Sequence, residues 1–215
     1  MKYYPIYLDI TNKRCIIVGG GDVAERKAER LLDFGAHVSV VGKSLTPLLE
    51  TMKREGRIEH VEADYDEAFL RDAFLVIGAT DRDDINAKIS RDCKNKGVLV
   101  NIVDDPEKCD FILPSIMQQG DLLIAISTGG KSPALAKKMR HELEKLYGPE
   151  YQTLVKVMGN LRERLVMKGQ SSNENKQLFE SVIHSDILQH IKNKNWEHVK
   201  KIIYDITGVE IEIIE

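Results

Sequence analysis

Short strands alternate with helical segments along the first half of the chain, and this alternation sets its fold class. Strand patterns lie at 14–18, 37–41, 58–61, 74–79 and 98–103. Helical segments follow the first, second and fourth strands, and Thr46 followed by Pro47 is predicted to cap and open the second of them. Strands joined by helices form right-handed crossovers, so the sequence predicts a parallel sheet. The strand runs are apolar without alternation, which is typical of strands covered on both faces.

The pattern changes near residue 111. Two apolar runs, 111–115 and 122–127, flank a short turn of Gln118, Gln119 and Gly120 and predict an antiparallel hairpin. A capping Ser132 followed by Pro133 opens a helix that we expect to end near Tyr147. The remainder to about 207 is helical and highly charged, and 209–215 is either a short strand or a tail.

Composition narrows the classes of function. The 215 residues suffice for one α/β domain with a smaller appendage. A formal net charge of −3 favours no nucleic-acid partner, because phosphate-binding proteins usually carry a basic excess. The N-terminal segment does not resemble a signal peptide, and no apolar run of about 20 residues occurs, so we expect neither a secreted nor a membrane-spanning protein. We expect a cytoplasmic protein without a membrane partner.

The cysteines and histidines predict no metal site. Cys15, Cys93 and Cys109 contain no CxxC pair, so neither a disulfide framework nor a zinc site is expected. Cys15 lies in an apolar run and is interpreted as a small core residue. Three histidines of the charged helical part share no single tight face and are interpreted as surface or packing residues; they are His184, His190 and His198.

Residues 19–24 match the G-x-G-x-x-A pattern that joins a strand to a helix in dinucleotide-binding proteins. Gly19 permits the tight turn, Gly21 lets a pyrophosphate approach the backbone, and Ala24 keeps the helix close to the sheet. The free N–H groups and positive dipole end of that helix favour phosphate. The alternative is a glycine turn that binds no ligand.

The acidic residue that usually binds the adenosine ribose is missing. It should lie at the end of the second strand, where this chain has Val41, Gly42, Lys43 and Ser44. Lys43 either contacts a 2′-phosphate, which would favour NADP, or is a solvated loop residue. Backbone groups near Lys43 and Ser44 are candidates for ribose binding. The residues alone leave NAD and NADP open.

Two more strand ends border the same predicted crevice, since ligands of open α/β sheets bind outside the carboxyl ends of strands. Thr80 and Asp81 follow the fourth strand, and Asp104 and Asp105 follow the fifth. Asp104 is the candidate general base, because a carboxylate beside a nicotinamide can take the proton that accompanies hydride loss. The alternative role of Asp104 is a turn residue before Asp105 and Pro106.

Five segments occur together in an order and spacing that resemble the precorrin-2 dehydrogenase family, which includes the N-terminal module of siroheme synthase. The resemblance covers residues 1–145 well and the helical remainder more loosely. The segments are GGGDVAERKAERLL, GATDRDDIN, VNIVDDP, FILPSI and ISTGGKSPALAKKMR. FILPSI followed by STGGKSP is more specific than the glycine loop.

The resemblance implies NAD-dependent oxidation of precorrin-2 to sirohydrochlorin, with NAD as cofactor. It implies a homodimer that exchanges elements of a middle region. The expected fold is a Rossmann-type parallel sheet (1–113), a small α+β dimerisation region (114–148) and a helical C-terminal domain (149–215). By similarity, Asp22 and Val23 lie at the pyrophosphate, Lys43 and Ser44 lie at the ribose, and Asp104 is catalytic.

The resemblance also places substrate-binding residues, with two departures from relatives. Thr128 stands where siroheme synthase has a serine near the tetrapyrrole, and Asp105 adds a second carboxylate that would titrate with Asp104 if the two were close. Lys131 and free N–H groups around Gly129 and Gly130 suit the substrate carboxylates. The expected substrate-binding residues are Asp105, Ser115, Thr128, Gly129 and Lys131.

Two alternative functions stay open. Some relatives also insert ferrous iron into sirohydrochlorin, for which Asp104 could accept the pyrrole protons. A non-enzymatic NAD-sensing module would share the glycine loop, although FILPSI and STGGKSP argue against it. The chain has no methyltransferase module, so separate proteins would methylate the precursor and could chelate the product.

Overall fold

The computed structural model describes residues 2–168 and 171–212 of the chain. The chain divides between Leu113 and Pro114 into two compact units. The first unit carries a five-stranded parallel sheet, and the second carries a hairpin and five helices among its described residues.

The sheet of the first unit has the strand order β3-β2-β1-β4-β5, with every neighbouring pair parallel. This order reverses direction between β1 and β4, which is the point where open α/β sheets bind ligands. The predicted Rossmann-type sheet is therefore confirmed. Its strands are β1 (Arg14–Val18), β2 (His37–Val41), β3 (Ile58–Val61), β4 (Leu75–Gly78) and β5 (Leu99–Ile102).

Successive residues of a strand point to opposite faces of the sheet. Three helices of the first unit cover these two faces. On one face, Ile17 and Ile77 pack with Ala24 and Ala28 of α1 (Asp22–Asp33) and with α2 (Pro47–Arg54). On the other face, alternate residues of the same strands pack with Ile89 of α3 (Asp83–Lys96). Both layers are apolar, which explains why the strand sequences lack alternation.

Helix starts follow the predicted capping chemistry. Thr46 accepts a hydrogen bond from the backbone N–H of Leu49 at 3.3 Å, and Pro47 occupies the first helical position of α2. α1 differs, because its N-cap residue Gly21 forms no side-chain hydrogen bond. The N-terminus of α1 is thus left without a capping group from its own N-cap residue.

The hairpin of the second unit pairs β6 (Ser115–Gln119) with β7 (Leu122–Ile126) in antiparallel register. The predicted strand at 111–115 is wrong, because β6 begins at Ser115 and includes both glutamines. Pro114 has no N–H for a ladder. The carbonyl of Phe111 instead accepts a hydrogen bond from Asn101 Nδ2 at 2.9 Å.

Five helices complete the second unit and confirm the predicted helical remainder. The four helices within 150–207 bury one apolar cluster that includes Leu161, Val182, Val199 and Ile203. Residues 209–212 form no strand, and the rest of the predicted strand or tail at 209–215 lies outside the described residues. The helices are α4 (Pro133–Leu146), α5 (Glu150–Met167), α6 (Ser172–His184), α7 (Ile187–Lys192) and α8 (Trp196–Thr207).

No helix in the described part of the chain is long and apolar enough to cross a membrane. The three cysteines are free and buried, as expected for Cys15.

Substituting Gly20 should destabilise the first unit, whereas the adjacent Gly21 should tolerate a side chain. A Cβ on Gly20 would lie 1.9 Å from the carbonyl oxygen of Ser44, whereas a Cβ on Gly21 meets nothing within 4 Å. We expect Gly20→Ala to lower the free energy of unfolding by about 1–3 kcal/mol. Gly21→Ser should leave it unchanged or raise it, since serine is a favoured N-cap. Denaturant unfolding measures both; equal losses would contradict this packing.

Candidate functional site

The carboxyl ends of three strands lie level at one edge of the sheet. Val18, Gly78 and Ile102 are register partners across β1, β4 and β5. The hydrogen bonds continue one residue further, from Ala79 N to Val18 O at 2.8 Å and from Val103 N to Gly78 O at 3.0 Å. The three loops that follow these strands therefore start from the same edge.

The first loop is the glycine turn, and two of its glycines are required by the protein's own backbone. Gly19 has φ +121°, and a Cβ there would lie 2.3 Å from the carbonyl oxygen of Ala79. Gly20 is equally constrained by Ser44. Gly21 is exposed, and no protein atom lies within 4 Å of its ideal Cβ. The open space at Gly21 therefore fits a ligand that approaches the backbone.

The N-terminus of α1 suits an anion. Because Gly21 provides no side-chain cap for α1, the first backbone N–H groups of the helix and the positive end of its dipole are open to the space beside Gly21. Two acidic residues lie in the first turn, and one of them is engaged elsewhere, since the Glu25 carboxylate accepts a hydrogen bond from the Thr46 hydroxyl. A nucleotide pyrophosphate fits the residues at this turn, including Asp22 and Val23.

The loop after β2 contacts the glycine turn through its backbone. Thr46 N donates to Gly20 O at 3.0 Å, and the Ser44 carbonyl lies over Gly20. Ser44 is thereby held beside the turn. Lys43 does not stay a free cation, because its Nζ lies 2.9 Å from Asp64 Oδ2. Sequence reasoning missed Asp64, which follows β3 and is distant in sequence.

The loop after β4 is fixed by a buried asparagine. The Thr80 hydroxyl lies 2.8 Å from Asn86 Oδ1, and Asn86 Nδ2 donates to the Thr80 carbonyl at 2.9 Å. Thr80 Oγ1 also accepts from the Arg82 N–H at 3.2 Å. Thr80 thus holds the shape of its loop, and Asp81 is exposed next to it.

Asp104 follows β5 and has an unusual backbone. Its φ is +60°, a conformation that aspartate adopts more readily than most residues, and its side chain is exposed. Lys27 of α1 is half-buried, and its positive charge is attracted to Asp104. Burial lowers the pKa of Lys27, Arg26 adds to that lowering, and Asp104 opposes it. The structure therefore adds a lysine near the candidate base.

Sequence reasoning missed Lys27, although a signal existed. The residue stands one position before Ala28 and three after Ala24, both of which are buried against the sheet. A lysine so close to the buried stripe of α1 is a candidate for a charge held at the sheet edge.

The loop after Asp104 is closed by Cys109. Its Sγ accepts from Ile102 N at 3.1 Å and lies 3.1 Å from the Asp105 carbonyl. Asp105 forms an ion pair with Lys108 at 2.5 Å, and this hydrogen bond lowers the pKa of Asp105. The charge of Asp105 is thus balanced by Lys108.

The expected substrate residues of the second unit lie in the hairpin and in the turn before α4. Ser115 is the first residue of β6 and pairs with Ile126. Thr128 Oγ1 accepts from Ser132 N at 3.0 Å. The expectation of a free N–H at Gly129 is wrong, because that N–H donates to Ser127 Oγ at 3.0 Å within the turn. The Lys131 side chain is exposed.

The histidines of the second unit sit in local contacts. His184 bonds to the Glu180 carbonyl at 2.7 Å. His190 and His198 stack with ring centroids 5.0 Å apart, a proximity that their spacing did not indicate. Throughout the residues that the structure describes, no three or more His, Cys, Asp or Glu side chains are grouped so as to hold a metal ion.

Comparison with known proteins gives two family matches. A sequence model described as putative NAD(P)-binding matches residues 6–115, just over half of the chain. A second, described as the central part of sirohaem biosynthesis proteins, matches residues 119–146.

Relatives and a solved structure agree with these matches. Siroheme synthase 1 of Aeromonas salmonicida (strain A449) is 39% identical over 188 residues, 87% of this chain and 40% of that protein. Siroheme synthase 2 of Yersinia pseudotuberculosis serotype O:1b (strain IP 31758) is 35% identical over 201 residues, 93% of this chain and 42% of that protein. The chain thus spans about two fifths of these relatives' length. The solved structure of SirC, precorrin-2 dehydrogenase, shares the fold with a TM-score of 0.74 at 22% identity, covering 93% of this chain and 100% of that chain.

A negative charge at Gly21 should strongly weaken dinucleotide binding without unfolding the protein. Gly21→Asp fills the open space and repels a pyrophosphate, while aspartate is a favoured N-cap. We expect the Kd for NAD to rise at least about tenfold, equivalent to 1.4 kcal/mol, with an unchanged Tm. Gly21→Ser is the uncharged control with a smaller loss. Unchanged NAD affinity in the aspartate variant would exclude this turn as the binding site.

Proposed function

Because this chain belongs to the putative NAD(P)-binding family, whose model matches residues 6–115, we propose that it is an NAD-dependent dehydrogenase that oxidises precorrin-2 to sirohydrochlorin. The names of similar proteins support the proposal, since they are siroheme synthases and a precorrin-2 dehydrogenase. The second match supports it independently, because it concerns the central part of sirohaem biosynthesis proteins and lies outside the nucleotide-binding segment.

The observation that carries the proposal is the common edge of β1, β4 and β5. An open helix N-terminus at Gly21 and an exposed carboxylate at Asp104 follow strands whose last residues are in register. The helix N-terminus can bind a pyrophosphate, and the carboxylate can accept a proton. A dehydrogenase needs both at one crevice.

The residues at this edge have different roles in the proposed reaction. The backbone around Gly19, Gly21 and Val23 binds the pyrophosphate, and the segment of Lys43 and Ser44 lies along the ribose. When bound, NAD supplies the acceptor for the hydride that leaves the macrocycle. The Asp104 carboxylate accepts the proton that leaves with it, so the substrate loses two electrons and two hydrogens in total. Lys27 of α1 lies within electrostatic range of that carboxylate.

Substrate binding is assigned to residues of the second unit as part of this proposal. Precorrin-2 carries several carboxylates, and Lys131 is an exposed cation in the turn before α4. Ser115 and Thr128 of the same unit complete the set.

The proposal includes a homodimer. Leu135, Met139 and Leu146 of α4 are 48%, 41% and 63% exposed, and their spacing places them on one face. The hairpin that α4 packs against has only two strands in the described residues, and such a sheet is marginal by itself. A second copy would cover the stripe and extend the hairpin.

The alternatives differ in what the protein would turn over. An NAD sensor binds NAD without oxidising precorrin-2, and an iron-inserting enzyme also consumes ferrous iron as substrate. No contact in the described residues favours either. The cytoplasmic location and the separate methyltransferase and chelatase stay predictions.

Replacing Asp104 by asparagine should stop turnover and spare NAD binding. Asparagine tolerates the positive φ, so the loop is kept while the proton acceptor is lost. We expect turnover of precorrin-2 with NAD to fall about 100-fold or more, with the Kd for NAD within about twofold, as single contacts distant from the phosphates change it little.

Asp72→Asn is the matched control, since Asp72 is another exposed aspartate with positive φ (+58°) in the first unit. It should retain full turnover. The assay records sirohydrochlorin absorbance and NADH together, with NADP and ferrous iron in parallel. NAD binding without any turnover by the unmodified protein would favour the sensor, and near-normal turnover by Asp104→Asn would remove Asp104 from the mechanism.

A charge on the exposed stripe of α4 should disrupt the dimer. We expect Met139→Glu to shift the protein to a monomer in size-exclusion chromatography with light scattering, because a buried unpaired carboxylate is strongly unfavourable in an interface. Ala134→Glu adds the same charge to another face of α4 and should leave the dimer intact. A monomeric unmodified protein would refute the dimer.

A further inference from the structure

The cation at the expected ribose position is paired with a carboxylate from the neighbouring strand. Lys43 follows β2 and Asp64 follows β3, and the last residues of these strands, Val41 and Val61, are register partners. Nζ of Lys43 lies 2.9 Å from Oδ2 of Asp64. The two strand ends thus bring together charges that are 21 residues apart in the sequence.

A second cation lies within electrostatic range of the same carboxylate. Arg82 follows β4 and is attracted to Asp64, although its guanidinium is bound to Asp84 at 2.7 and 3.2 Å. Arg82 is therefore engaged by Asp84, and Asp64 is the group that neutralises Lys43.

Charge at this position decides which dinucleotide a sheet of this type accepts. An acidic side chain favours NAD by binding the ribose 2′-hydroxyl, whereas a cation accommodates the 2′-phosphate of NADP. A Lys43 side chain free to contact the ribose would therefore favour NADP. The ion pair with Asp64 reverses that expectation, because a 2′-phosphate would have to displace a carboxylate and then lie beside it.

We propose that Asp64 is the residue that makes this site select NAD over NADP, by neutralising Lys43 and placing a negative charge where a 2′-phosphate would bind. The inference rests on the proposed function, since it assumes that the dinucleotide binds at the glycine turn. It assigns to the end of β3 the acidic role that other sheets give to the end of β2.

The exposure of the two side chains limits how much Asp64 can change the affinity for NADP. The side chains of Lys43 and Asp64 are 72% and 71% exposed, so water and salt screen their charges. A 2′-phosphate carries up to two charges, which enlarges both its attraction to a freed Lys43 and its repulsion by Asp64. We expect a change of about five- to tenfold in NADP affinity at low salt, shrinking as salt is added.

The test measures binding of NAD and NADP to the full chain by calorimetric titration. Four proteins are compared with the unmodified one: Asp64→Asn, Lys43→Gln, the double variant and Glu62→Gln. Glu62 is an exposed acid two residues before Asp64 and serves as the control for net charge. All four changes are at exposed side chains, so we expect the fold to be retained, which the Tm verifies.

The unmodified protein should prefer NAD, and Asp64→Asn should bind NADP about five- to tenfold more tightly with little change for NAD. Lys43→Gln alone should weaken NADP binding, because it leaves the charge of Asp64 unneutralised, and the double variant should gain less than Asp64→Asn, because no freed cation remains. Glu62→Gln should resemble the unmodified protein.

Three results would overturn the inference: an unmodified protein that prefers NADP, an unchanged NAD-to-NADP ratio in Asp64→Asn, or the same gain in Glu62→Gln. A chain that binds neither dinucleotide contradicts the proposed function itself. Normal NAD binding with an unchanged ratio in Asp64→Asn contradicts only the role of Asp64.

Discussion

Parallel pairing of β1 with β4 and of β4 with β5 is the constraint on which the site depends. It aligns Val18, Gly78 and Ile102, so that every loop leaving these strands starts at the same edge. The two apolar layers that cover the sheet hold this register, because a shift by one residue would turn each strand's inward side chains to the other face. The functional residues at the edge of the sheet are thus positioned by the apolar packing on its two faces.

The loops at that edge are fixed mainly by backbone and buried side-chain hydrogen bonds. The backbone carbonyls of Ala79 and Ser44 lie against the glycine turn. Hydrogen bonds of Asn86 fix the loop of Thr80, and hydrogen bonds of Cys109 fix the loop of Asp104. Lys27 lies within electrostatic range of Asp104, and Lys43 forms an ion pair with Asp64, so each set of charges comes from two elements.

Sequence reasoning located the sheet and the glycine turn because both are local signals. Strand runs, capping pairs such as Thr46 with Pro47, and the spacing of Gly19, Gly21 and Ala24 each lie within a few residues. The hairpin was displaced because Phe111 is apolar like a strand residue, while Asn101 and the missing N–H of Pro114 draw its segment elsewhere. The free N–H expected at Gly129 failed for a similar reason, since Ser127 supplies a partner two residues away.

The sequence by itself determined the fold class, the order of the motifs along the chain and the residue types available at each strand end. These features are encoded in periodicity and in short motifs of adjacent residues. Only the tertiary structure decided which charges meet. The pairing of Lys43 with Asp64 and the approach of Lys27 to Asp104 depend on strand register and on the packing of α1 against the sheet. These are long-range contacts, and no local pattern in one chain specifies their distances.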